Sequence, residues 1–418
     1  MRKNKYFFFV SIILTGSYFL PLIFENLFYP FNSHFIYSLL WFLSLIIFYP
    51  KLFLAKIFIP FYIYLIFLFI SLSTYLSGID DWNKRFLFTE SYHIFVGLSI
   101  YTYYVFFRND ALLNQYVKIS LIFILITAFM SIISFSLDPL YARNLTGIES
   151  FEGLNVYTEI TQMRKFGGGS YGTSIAFMTL IPLYFLFNKN NNLNFFYIFI
   201  LIIVTYIALL SMQIFTNITI ATVTIFLLLS KNILKRIYFV LFIFIIFLFF
   251  PKNIYVSTLY YIGSKLEKFE ELNFKINELA KTIELGLDTE KPETGISGRA
   301  QRYPELINVF IKEPFWGCYY QNNDGNGYNG IGAHIYWMNK LTVTGILGFT
   351  FFMFFFLKFI SDVKRRVEVN NKLILFISFF VFIIYGVFKN ISSKGAWFSF
   401  LVFVPLFILF SQNKTKNG

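Results

Sequence analysis

The sequence predicts an all-α polytopic membrane bundle of about twelve transmembrane helices, with both termini inside and one large helical loop outside. Three observations carry that expectation. Hydrophobic residues make up 57% of the chain and charged residues only 14%, where a soluble globular chain carries about a quarter charged residues. Mean hydropathy is +0.63, and 60 Phe hold more apolar surface than one aqueous core can hide. Apolar runs of about 20 residues, the length a helix needs to cross hydrocarbon, follow one another along the chain.

Lipid offers no partner for backbone N–H and C=O groups, so each run has to close its own hydrogen bonds as a helix. The runs fall at 6–24, 34–49, 53–76, 87–107, 117–137, 170–187, 195–211, 214–230, 237–250, 341–360, 372–389 and 395–410. Only Met212, Gln213, Thr216 and Asn217 separate the seventh from the eighth. No small-residue cleavage site follows the first run, so it is expected to remain as an anchor. Three regions result. Residues 1–250 hold spans one to nine with an external loop at 138–169; 251–340 form the large external loop; 341–418 hold spans ten to twelve and a cytoplasmic tail.

Charge orients the bundle. One alternating set of loops, including Arg2, Lys3, Lys5, Lys364, Arg365 and Arg366, carries 18 basic residues against Asp110, Asp362 and Glu368, a net of +15. The opposite set carries 17 basic and 19 acidic residues, a net of −2. Basic short loops mark the cytoplasm, which places both termini inside. The total of +13 is therefore topological. It does not read as a nucleic-acid surface, because the basic residues punctuate apolar runs instead of sharing one polar face.

Metal and cofactor signatures are missing from the sequence. Cys318 is the single cysteine, which excludes an internal disulfide framework and a Cys-based metal site. There is no HExxH and no Asp-x-Asp. Gly167-Gly168-Gly169 lacks the Lys-Ser/Thr of a phosphate-binding loop and reads as a flexible entry into the sixth span.

The large outer loop has helical periodicity. Leu259, Ile262, Leu266, Phe269, Leu272, Ile276, Leu279 and Ile283 recur in steps of three and four, one face of an amphipathic helix that lies on the membrane surface or caps the bundle. A second short helix is expected from an N-cap at Ser297 through Arg299, Arg302, Leu306 and Phe310 to a stop at Pro314.

Few residues can carry chemistry. His34 and His93 lie at or inside spans and read as packed residues, and Glu90 lies near a span end. His334 stands at the outer end of the large loop, where an imidazole exchanges protons with solvent near neutral pH. Arg164, Arg299 and Arg302 fall on the same side; arginine keeps its charge and offers a fork matched to phosphate oxygens. A lone arginine there reads as a head-group anchor. Three with His334 point to an anionic ligand.

Gly298-Arg299, Pro314-Phe315-Trp316-Gly317, Ala333-His334 and, eleven residues past the histidine, Gly345-Ile346-Leu347-Gly348 together resemble the O-antigen polymerase and ligase superfamily of bacterial envelopes. Arg164-Lys165-Phe166-Gly167, followed by Ser174-Ile175-Ala176 and Pro182, resembles that family's entry to a mid-protein span. The resemblance implies a metal-independent membrane glycosyltransferase of the bacterial inner membrane, without a cofactor, its active site facing the periplasm. Its donor and acceptor would be polyprenyl-diphosphate-linked saccharides, with membrane lipid around it and a chain-length regulator as a further partner. On that basis Arg164 and Arg299 hold the diphosphate with help from Arg302. His334 activates the acceptor hydroxyl or bonds the leaving group, and Trp316 and Tyr336 stack on sugar faces. Ile335, where the ligases carry Asn, Ser or Gln, favours polymerase. A ligase moving the finished chain to a lipid A core is the near alternative, and a lipid-linked saccharide transporter the more distant one.

Overall fold

Apolar runs without interior breakers fold as helices throughout the described residues, and no strand occurs among them. The structure is a computed structural model that describes residues 2–20, 24, 33–74, 81–107, 109–137, 171–189, 194–212, 214–229, 252–267, 270–285, 296–318 and 335–413. The helices are α1 (Arg2–Phe19), α2 (Ser33–Phe48), α3 (Ile59–Thr74), α4 (Asp81–Phe107), α5 (Asp110–Leu137), α6 (Tyr171–Lys189), α7 (Phe195–Ser211), α8 (Phe215–Leu229), α9 (Lys252–Lys265), α10 (Glu270–Leu285), α11 (Ile296–Lys312), α12 (Tyr336–Arg366), α13 (Lys372–Phe388), α14 (Lys394–Phe398) and α15 (Val404–Asn413). A π-helical turn, Ser399–Phe403, joins the last two into one rod. The run at 237–250 lies outside the described residues.

Among the described residues, four stretches are long and apolar enough to cross a membrane: Asp110–Ser136, Tyr336–Arg366, Val369–Phe388 and Lys394–Gln412. Five shorter apolar helices accompany them, Ser33–Phe48, Ile59–Ser71, Thr173–Phe187, Phe195–Ser211 and Thr216–Leu228. Burial is arranged from the inside out. The α14–α15 rod and α6 are almost wholly buried and form the centre, while Leu43, Ile46, Ile47, Ile66, Phe69 and Phe199 stay exposed on surrounding helices. A belt of large exposed apolar side chains on a helical bundle is the signature of a lipid-facing surface. The chain is a membrane protein.

Between helices, hydroxyls act as polar contacts in an otherwise apolar interior. Ser11 and Tyr104 lie 2.8 Å apart, Thr15 and Tyr116 2.8 Å, and Trp41 Nε1 donates to Ser99 Oγ at 2.8 Å. Such bonds help hold helices where no hydrophobic gradient does.

Two expectations for the outer loop need correction. The amphipathic stripe from Leu259 to Ile283 is split at a turn, Leu266–Glu267, into an antiparallel hairpin of α9 and α10. Tyr260 Oη donates to Glu284 Oε2 at 3.1 Å across it, and Gly263 gives Asn273 and Asn277 room to pack closely. A periodic stripe survives a turn that preserves its phase, so the pattern alone did not reveal the break. Similarly, α11 begins at Ile296 and takes in Ser297, which is thus inside the first turn and not its cap.

Candidate functional site

Two of the motifs quoted for the family resemblance, Pro314–Gly317 and Gly345–Gly348, meet at the front half of α12. That helix is broken at Gly345, whose φ of 63° and ψ of −178° are non-helical and belong to a region open essentially to glycine alone. A break inside an apolar helix leaves backbone groups that must be paired. The Pro314–Gly317 turn pairs them: Ile346 N donates to Pro314 O at 2.8 Å, Leu347 N to Phe315 O at 3.3 Å, and Cys318 N to Thr342 O at 3.0 Å. Gly317 has φ of 87° and sits directly on the Val343–Gly345 backbone, where a Cβ would collide with main-chain atoms. The Pro-x-x-Gly and Gly-x-x-Gly motifs are thus two halves of one backbone-to-backbone lock.

This lock brings α11 against α12. Leu306 is fully buried, Thr342 Oγ1 donates to Leu306 O at 3.3 Å, and Tyr303 Oη donates to Val387 O at 2.7 Å at the end of α13. Burial raises the pKa of Tyr303, which keeps the hydroxyl a donor. The helical register sets Arg299 one turn before Tyr303 and Arg302 one turn before Leu306, so both arginines ride on the docked helix. Tyr303→Phe is expected to weaken this docking by about 1 kcal/mol. Faster hydrogen exchange across α11, with α13 unchanged, is the measurement that checks it.

His334 and Arg164 lie outside the described residues, as do Tyr319, Tyr320 and Tyr328. The chain resumes at Ile335, which is buried and leads directly into α12. Trp316 is exposed by 46% and stacks on Phe67 of α3, with centroids 5.9 Å apart and planes 4° from parallel. Tyr336 is in the opposite situation. Its ring is 1% exposed and its hydroxyl donates to Glu90, so it has no open ring face for stacking on a sugar.

Glu90 is the residue that sequence reasoning undervalued. Placed by the pattern near a span end, it is instead fully buried on α4 and paired with the fully buried Lys340 of α12. One carboxylate oxygen accepts from Lys340 Nζ; the other accepts from Tyr336 Oη and, at 3.1 Å, from Trp397 Nε1 of α14. The ammonium also lies over two aromatic rings, 4.6 Å from the centroid of Phe352 and 5.2 Å from that of Tyr64. A signal was present. Tyr336 and Lys340 are four apart, one helical turn, at the head of an apolar helix, and Glu90 is a lone acid within Phe88–Tyr92.

A second buried group lies beside the first. His93 follows Glu90 by one turn of α4, and its Nδ1 is 3.2 Å from Tyr18 Oη. His34 Nδ1 is 2.7 Å from Ser17 Oγ, and the two imidazole centroids are 5.8 Å apart. Both histidines are packed side chains, with T-shaped Tyr18 between them. At the other end of the same two helices, Tyr101 donates to Asp362 at 3.0 Å, and Asp362 pairs with Arg366 at 2.9 Å. Helices α4 and α12 are thereby pinned twice. Among the described residues no group of His, Cys, Asp and Glu is arranged to hold a metal ion.

Comparison with protein-family models and with curated proteins finds no match, so the resemblance rests on the motif residues and their order alone.

Proposed function

We propose that this chain is a surface-polysaccharide polymerase of the O-antigen type, a metal-independent glycosyltransferase of the bacterial inner membrane. It joins polyprenyl-diphosphate-linked oligosaccharide repeat units on the periplasmic side. On this reading the bundle crosses the bilayer about twelve times with both termini in the cytoplasm, an orientation that the charge asymmetry of the loops supports.

One observation carries the reading. The arginine-bearing helix α11, the Pro314–Gly317 turn and the broken front half of α12 pack as one unit, and His334 stands two residues before α12 in the sequence. That arrangement supports a site in which cations meet a diphosphate at the membrane face. The leaving group of the reaction is that diphosphate. Arg299 and Arg164, with Arg302, would stabilise its charge, and His334 would take the proton of the acceptor hydroxyl. The lipid tails remain in the bilayer while the saccharides stay in water. Trp316, exposed beside Phe67, would on this reading meet a sugar or the upper part of a lipid.

The test is chain extension by purified protein supplied with lipid-linked repeat units. Arg299→Ala and His334→Ala are each expected to reduce extension by about a hundredfold or more while the protein remains monodisperse in detergent. Full activity in both variants would sink the site assignment. Deleting the gene separates the outcomes: lipid A core bearing single repeat units marks a polymerase, and bare core with accumulated long lipid-linked chains marks a ligase.

A further inference from the structure

The Glu90 cluster is expensive to build. A carboxylate and an ammonium withdrawn from water lose several kcal/mol each in hydration, and an apolar replacement of similar volume is often as stable. What such a pair supplies in return is a unique arrangement. An apolar contact tolerates sliding by a fraction of a turn; three directed hydrogen bonds on one carboxylate do not.

The directions of those bonds are informative. Tyr336 and Lys340 both reach Glu90 from the first turn of α12, one turn apart on the same face. Trp397 reaches it from the central rod. The carboxylate therefore fixes the rotation and the depth at which α12 enters the bundle. Ile335, buried and accepting a hydrogen bond from Asn339 N at 2.9 Å, is held at that entry. His334 precedes it in the sequence. The Gly345 lock lies five residues beyond Lys340, so this short stretch of helix is clamped at both ends, by charge at the outer end and by backbone pairing at the inner one.

We propose that Glu90 is a positioning residue, one that holds the start of α12, the helix that follows His334 in the sequence, in the geometry that transfer requires. The proposal deepens the function proposed above and rests on it for the catalytic consequence. Glu90 touches no reacting atom. It acts through Tyr336 and Lys340.

The experiment has two arms, run on full-length protein in detergent. In the first, Ile335→Cys is introduced with Cys318 replaced by Ala, and its rate of maleimide labelling is measured with Glu90 and with Glu90→Gln. Glutamine keeps the shape and the acceptor for Tyr336 and Trp397 but removes the negative charge that faces Lys340. Labelling is expected to accelerate about tenfold or more as the entry turn opens locally. In the second arm, chain extension by Glu90→Gln is measured per folded molecule. The expected result is a kcat lower by about a hundredfold, the scale of a misplacement near 1 Å, with KM for the donor changed less than about twofold because the arginines that bind it are untouched. A merely structural Glu90 would lower the yield of folded protein and leave kcat per molecule alone. Unchanged labelling together with unchanged kcat overturns the proposal. If Glu90→Gln fails to fold, the double variant Glu90→Gln with Lys340→Met, which removes both charges, takes its place in both arms with the same two outcomes. A wild-type protein that extends no chain sinks the proposed function, and the labelling arm then still decides whether Glu90 holds the entry of α12.

Discussion

Gly345→Ala is expected to lose most of the folded protein. Two independent costs meet at this position. A side chain at φ 63° and ψ −178° is strained by about 1–3 kcal/mol in any surroundings. The added Cβ would also collide with the carbonyl of Phe315 and the amide of Gly317, both main-chain atoms that cannot rotate away. Relief requires the turn to withdraw, and withdrawal strands the amides of Ile346 and Leu347 and the carbonyl of Thr342. Each orphaned group in an apolar setting adds about 1–3 kcal/mol. The sum is comparable with the whole stability of an ordinary domain. Gly317→Ala meets the reciprocal collision and should behave alike. Gly97 provides the contrast, since a Cβ there meets only the Leu401 side chain at 3.0 Å, which can shift. Size-exclusion yield and thermal unfolding in detergent decide the matter: a Gly345→Ala protein with the wild-type midpoint would show that the lock contributes little.

Lys340→Met is the second large effect. It leaves Glu90 buried with two neutral donors and no counter-charge, a situation that costs about 3–5 kcal/mol. Adding Glu90→Gln should recover much of that loss, because the double variant has no unpaired charge to hide. The two single changes and the double form a thermodynamic cycle, and their non-additivity measures the coupling between the pair. Additive unfolding shifts would mean that the two side chains do not depend on one another.

Helix positions were readable because lipid allows an apolar run so few alternatives. The expected span at 195–211 coincides with α7, and that at 372–389 with α13 to within a residue. Boundaries failed where helices extend beyond the apolar stretch. Asp81–Arg85 continue α4 outward and Tyr336–Lys340 continue α12, because helical hydrogen bonding does not stop where hydropathy falls. The candidate site was readable in part. Pro314, Gly317, Gly345 and Gly348 stood out as a spaced set, yet nothing in their spacing said that two of them touch through the backbone; that contact joins residues about thirty apart across an intervening loop. Glu90 and Lys340 were both visible as charges beside apolar runs. Their pairing was not, since each sits at a span edge where a charge ordinarily reaches water, and only the packing of α4 against α12 and α14 removes that water.

The separation of Glu90 from its partners also has a meaning in time. Tyr336, Lys340 and Trp397 lie 246, 250 and 307 residues further along the chain. At ribosomal rates of about 5–20 residues per second, α4 emerges on the order of ten to fifty seconds before the first donor for its carboxyl group exists. Throughout that interval the bundle lacks both the helix that neutralises Glu90 and the rod that later fills the centre. A carboxyl group left in lipid is costly, so α4 gains nothing by settling early. The buried pairing of this acid is thus completed only by the back half of the chain: until that half arrives, Glu90 has none of its three partners.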